Sequence, residues 1–189
     1  SGVGIVKDLT GQTASEVLDP VFLNDANFWR KIVAPYKKKF KNYLFYYRLM
    51  NSAESDAAAR KIAKEKKLKL VVMTDGFLKW HADNVLRDVG PKEFLYLMDN
   101  ADYIVTDSFH GVAFSLVFEK QFYFCDTNPK TNGRGLDLLQ KSGIVTNDYA
   151  NIETADDRVN YIDIKHSLSD YIDSSKKFIN NSLGGKRLD

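Results

Sequence analysis

Four short runs of this chain are apolar almost without interruption: Tyr43–Tyr47, Leu70–Met73, Tyr103–Val105 and Phe122–Cys125. A strand with one face in water alternates apolar and polar residues, and these runs leave no polar face to expose. Each must therefore be covered above and below, and the segments between them carry the helical spacing that supplies such cover. With the flanking residues included, the strands are read as 42–50, 68–75, Tyr103–Val105 and Gln121–Cys125.

The intervening segments have recognisable starts and stops. Asn51 with Glu54 three residues on reads as a capping box for a helix running to about Lys66. Gly90-Pro91 opens another, with Pro at its first position, Glu93 in its first turn and Phe94, Leu97 and Met98 as its apolar stripe. A helix from about Gly111 follows the third strand. After the fourth come a polar loop, "DTNPKTNGRG", and a short helix, "LDLLQKSG", ending at Gly143. A last helix spans roughly Ser167 to Ser182. The stretch "GFLKWHADNVLRDV" reads as an irregular loop long enough to carry function. Upstream, Val3, Val6 and Leu9 define an opening helix stopped by Gly11. Val17-Leu18 reads as a short strand ended by Asp19-Pro20, and Asp25 as the cap of a short helix.

Strands and helices thus alternate, which predicts an α/β fold, a Rossmann-like parallel sheet with helices on both faces. At 189 residues and 44% hydrophobic content the chain is long enough for a real core, and one domain over 1–189 is expected. The opening begins almost inside a helical pattern, as expected of a piece of a longer protein. Net charge is +2, so the bulk electrostatics call for neither nucleic acid nor an anionic membrane. The lysines between Lys37 and Lys41 read as a solvated connector. No apolar run is long enough to span a membrane, and the single cysteine, Cys125, in apolar company, reads as a buried thiol in a reducing compartment. A soluble, cytoplasmic protein is expected.

In an open parallel sheet ligands bind beyond the carboxyl ends of the strands. That directs attention to the turns after Tyr47, Thr74, Thr106 and Cys125. The turn after Val105 is the most unusual: Thr106-Asp107-Ser108-Phe109-His110-Gly111 puts a hydroxyl, a carboxylate, an imidazole and a glycine between a buried strand and a buried helix. A helix start leaves N–H groups unpaired and favours an anion. Ser108 can cap the helix or donate to a phosphate, Gly111 lets a ligand approach the backbone, and His110 suits proton transfer near neutral pH. A plainer reading also fits: Asp107 or Ser108 caps the helix and His110 satisfies itself on a carbonyl.

Arg134, between glycines at the same sheet edge, can fork onto a carboxylate or phosphate, or simply be solvated. Lys130 is a weaker candidate. Tyr47-Arg48, at the end of its strand, can also reach the cleft, though strand packing plus an exposed arginine is the favoured reading. The three histidines, His81, His110 and His166, are far apart with no metal-ligand spacing, and His81 and His166 are expected to face solvent.

Four stretches then resemble a known family. "VLDPVFL" (17–23), "NYLFYYRL" (42–49), "GPKEFLYLMDNADYIVTDSFHGVAFSLVFEKQFY" (90–123) and "NGRGLDLLQKSGI" (132–144) occur in the order seen in polysaccharide pyruvyl transferases. The resemblance implies a two-domain architecture like that of the B-type glycosyltransferases, with this chain as the C-terminal half and an N-terminal domain, absent here, carrying much of the acceptor site. It implies transfer of a pyruvyl group from phosphoenolpyruvate to two hydroxyls of a sugar, as a cyclic ketal, with release of phosphate. His110 is then the acid/base candidate, Ser108 and Gly111 are phosphate-side contacts, and Arg134 is an anion clamp. Asp107 belongs to the same substrate site, holding the turn or orienting His110. The chemistry needs no redox cofactor, and no metal is expected.

Two other readings remain open on the residues alone. One is half of a glycosyltransferase binding a nucleotide sugar, for which Glu119 and Asp126 lack a recognisable ribose-binding arrangement. The other is a non-catalytic α/β binding module of receiver-like size. That would want adjacent carboxylates, and Asp75 and Asp107 have none beside them.

Overall fold

A computed structural model of the chain describes residues 2–33, 35, 39–126, 129–144 and 159–184. Its centre is a five-stranded, wholly parallel sheet with strands in the order β3-β2-β1-β4-β5. The strands are β1 (Tyr43–Tyr47), β2 (Lys69–Met73), β3 (Asn84–Leu86), β4 (Tyr103–Thr106) and β5 (Phe122–Phe124). The helices are α1 (Gly2–Thr10), α2 (Ala26–Ile32), α3 (Ala53–Glu65), α4 (Pro91–Asn100), α5 (Phe109–Val117), α6 (Pro129–Lys141) and α7 (Tyr161–Ser182).

Side chains alternate across the sheet, so two cores form. Leu44, Tyr46, Leu70, Val72, Val105 and Tyr123 point to one face, where Ala58, Ala59, Ile62 and Ala63 of α3 cover them. Tyr43, Phe45, Val71, Ile104, Phe122 and Phe124 point to the other, against residues of α4, α5, α6 and α7. This is why the strand runs are apolar throughout.

The register also fixes which strand ends lie side by side. β1 pairs with β2 on one side and β4 on the other, with Tyr47 opposite both Met73 and Thr106. The chain leaves β1 over one face through α3 and returns to β4 over the other through α4. Strand order therefore reverses between β1 and β4, the kind of place where open parallel sheets bind ligands.

Several expectations need correction. Val17-Leu18 forms no strand; a short 3-10 turn, Pro20–Leu23, follows it, capped by Asp19 with Pro at its first position. The Leu18 N–H bonds to Ser175 Oγ on α7 rather than to a neighbouring strand. Ser52, not Asn51, caps α3, its hydroxyl accepting from the Ser55 N–H. The segment read as a long irregular loop contains the edge strand β3, too short to show a period. α5 begins two residues before Gly111. α6 starts at Pro129, so most of the expected polar loop is helix, and α7 starts at Tyr161. A β-carbon at Gly135 would lie 2.5 Å from the Phe124 ring, which explains a glycine inside α6: the helix lies directly on β5.

Other expectations agree. Gly11 and Gly143 end their helices with φ of +71° and +72°, and Asp25 caps α2. Cys125 is buried, and burial pushes its thiol up to about 12. His81 and His166 are exposed. Among the described residues, no helix is long and apolar enough to cross a membrane. Lys37, Lys38 and the Lys130 side chain lie outside what is described.

Candidate active site

Just past β4, Asp107 is a buried carboxylate at the end of the sheet. One oxygen accepts from the Leu49 N–H at 2.8 Å and the other from the Met50 N–H at 2.7 Å. Asp107 thus holds a turn, but the one after β1 rather than its own. Burial pushes its carboxyl up, and the two backbone donors oppose that shift. The result ties together the segments that leave β1 and β4.

Ser108 occupies the cap position of α5, yet its side chain makes no capping bond. Its N–H donates to Thr106 Oγ1 at 3.0 Å, and its carbonyl accepts from the Val112 N–H at 3.1 Å. Burial pushes the Tyr47 phenol up, and the nearby Ser108 side chain opposes that shift. The N–H groups of Phe109, His110 and Gly111 precede the first intrahelical bond and receive no serine oxygen, so α5 keeps an open, partly positive start.

Gly111 is buried for a packing reason. A β-carbon there would sit 2.1 Å from Thr106 Oγ1 and 2.7 Å from its two carbon neighbours. The helix rests directly on the end of its own strand.

His110 projects outward, with its side chain about half exposed. Its Nε2 lies 3.8 Å from Asp19 Oδ2. Arg134, from α6, lays its guanidinium 4.0 Å over the Phe109 ring and brings Nη2 to 3.4 Å from the same Asp19 oxygen. Asp19 is fixed by its other oxygen, which caps the 3-10 turn by accepting from the Val21 N–H at 3.1 Å. Three elements distant in sequence therefore meet at one carboxylate. They border a groove of about 860 Å³ whose far wall holds Lys141, paired with Glu16 at 2.5 Å and Asp137 at 2.6 Å.

Sequence reasoning brought His110 and Arg134 to one sheet edge but missed Asp19, read there only as the stop of a strand. Its signal was present: Asp before Pro is a cap as readily as a strand end. Arg48 is a second correction. It is 3% exposed, not solvated, and grips Asp56 with Nε to Oδ1 at 2.7 Å and Nη2 to Oδ2 at 3.2 Å. Asp56 also accepts from the Tyr46 hydroxyl and from Trp80 Nε1.

The sequence from residue 7 to 129 matches the family model for polysaccharide pyruvyl transferases. The chain belongs to the polysaccharide pyruvyl transferase family. The matched region runs from the end of α1 to the start of α6. It includes Asp19 and the whole of Asp107–Gly111, while Arg134 lies five residues beyond it.

Solved structures with some likeness to this chain include two of UDP-GlcNAc 2-epimerase from Methanocaldococcus jannaschii. One is 14% identical with a TM-score of 0.41, covering 77% of this chain and 42% of the epimerase. The other, solved in complex with UDP-GlcNAc and UDP, is 16% identical with a TM-score of 0.39, covering 79% and 49%. The match to this chain thus spans less than half the length of either epimerase. No curated protein matches it.

Proposed function

We propose that this chain is the donor-binding, C-terminal half of a two-domain pyruvyl transferase with a B-type glycosyltransferase architecture, working in the cytoplasm on surface polysaccharide synthesis. Phosphoenolpyruvate is the donor, and two hydroxyls of a sugar, held largely by an N-terminal domain, are the acceptor. The observation that carries this reading is the meeting of His110 and Arg134 on Asp19 beside the uncapped start of α5.

The donor carries a phosphate and a carboxylate, and the site offers two kinds of anion partner. The free N–H groups of α5, Gly111's among them, suit the phosphate, with Ser108 at their edge. The Arg134 guanidinium suits the second anionic group. Asp107 acts through the loop it holds rather than on the ligand, since both its oxygens are engaged.

The proton balance assigns His110 its work. Protonation of the donor's C3 makes C2 electrophilic, and one sugar hydroxyl adds there as it loses its proton. The C2–phosphate bond then breaks and the second hydroxyl adds to C2, closing the ketal. Of the two hydroxyl protons released, one balances the new methyl group and the other leaves with phosphate. His110, exposed beside the groove, is the group that relays a proton between oxygen and C3.

Calorimetric titration with phosphoenolpyruvate, with UDP as a second ligand, tests the reading. Binding of phosphoenolpyruvate that weakens at least tenfold in Arg134→Ala is expected, as losing a charge-assisted hydrogen-bonded pair predicts. UDP binding in its place would replace this reading with the nucleotide-sugar one.

A further inference from the structure

We propose that Asp19 is the resident counter-ion of this site, which an incoming anion must displace from Arg134. The inference rests on the donor-site reading only for the natural anion's identity.

Asp19 uses its two oxygens differently. Oδ1 caps the 3-10 turn, a structural job. Oδ2 caps nothing and lies 3.4 Å from Arg134 Nη2 and 3.8 Å from His110 Nε2. It is not needed to fasten this segment to α6, because the Glu16–Lys141 pair three residues earlier already does so. The Arg134 side chain is 67% exposed, and ion pairs of that kind contribute little to stability. Breaking the Arg134–Asp19 contact therefore costs little, and stacking on Phe109 keeps the guanidinium in place afterwards.

The same carboxylate has a larger effect on a ligand. An anion reaching Arg134 and the start of α5 comes within a few ångströms of Asp19 Oδ2, where like charges repel through a partly desolvated medium. Asp19 thus lowers affinity for anions while filling the site's positive groups when it is empty. Ligands able to engage both Arg134 and the α5 N–H groups overcome that repulsion better than those able to engage only one.

Asp19→Asn isolates the charge, since Asn caps as well as Asp and keeps the Val21 bond. Inorganic phosphate is the probe, titrated by calorimetry at low ionic strength. Asp25→Asn is the control, a capping Asp of α2 whose side chain bonds the Phe28 N–H. Asp19→Asn is expected to bind phosphate on the order of tenfold more tightly than the parent, from the loss of one like charge at close range. Asp25→Asn should leave the affinity unchanged, and adding Arg134→Ala should erase the gain.

An unchanged or weaker affinity in Asp19→Asn, an equal gain in Asp25→Asn, or undetectable phosphate binding in Asp19→Asn would each overturn the proposal. Asp19→Ser, which also caps, repeats the test if the amide variant folds poorly; unfolding of both would assign Asp19 to structure alone. Tighter phosphate binding without any phosphoenolpyruvate binding would keep the counter-ion and discard the donor reading.

Discussion

Arg48 and Asp56 form a two-pronged ion pair at the carboxyl end of β1, with Arg48 almost fully buried. The same carboxylate serves Tyr46 and Trp80, so it joins β1, α3 and the segment before β3. Removing it strands a buried guanidinium, a phenol and an indole N–H together. Asp56→Ala should cost about 3–5 kcal/mol, as loss of one partner of a buried pair does. Denaturant unfolding followed by tryptophan fluorescence measures it, and a loss below about 1 kcal/mol would mean solvent replaces the carboxylate.

Asp107 satisfies two backbone donors from a neighbouring strand's turn. Asp107→Ala leaves both without it, at about 2 kcal/mol after relief of the buried charge is counted. Hydrogen exchange gives the sharper signature. The Leu49 and Met50 amides should lose protection well beyond what the drop in global stability explains.

Gly111 has no room for a side chain. Gly111→Ala drives a methyl into Thr106 and should destabilise by about 2 kcal/mol, in the range of overpacked cores. Thr106→Ala in the same chain should recover part of the loss. Strict additivity of the two would show that α5 shifts bodily instead.

Burial that pushes the Cys125 thiol up to about 12 leaves roughly one molecule in ten thousand as thiolate at pH 8. Native protein should therefore react very slowly with a disulfide reagent. The rate should climb about tenfold per pH unit while the fold holds, because the thiolate fraction does. Denaturant should make the reaction immediate. Fast labelling of folded protein would mean that β5 opens readily.

His110 stands clear of the core, so its removal should be felt in ligand handling alone. His110→Ala is expected to leave the thermal midpoint within about 2 °C, as surface substitutions do, while abolishing transfer in the two-domain enzyme proposed above. A fall in the midpoint as large as that of Gly111→Ala would make His110 a structural residue.

The sequence alone determined the layered α/β plan, because Leu44-Phe45-Tyr46 and Val71-Val72 are apolar on both faces and only a sheet covered on both sides accommodates them. It also determined most helix limits, through local chemistry at Asp25, Gly90-Pro91, Gly11 and Gly143. Where two capping residues adjoin, as at Asn51-Ser52, local chemistry did not choose between them. Three residues were too few for a period to reveal β3. Pro129 started a helix in a stretch read as polar loop, and the close approach of Gly135 to Phe124 that accommodates it is set by another strand.

The candidate site divides in the same way. His110 and the polar turn around it were legible because they are contiguous and sit at a strand end. Asp19, Arg134's place above Phe109 and the burial of Arg48 were decided by tertiary structure. Each depends on groups brought together from distant parts of the chain, and a charge's surroundings, unlike a helix cap, are not written beside it.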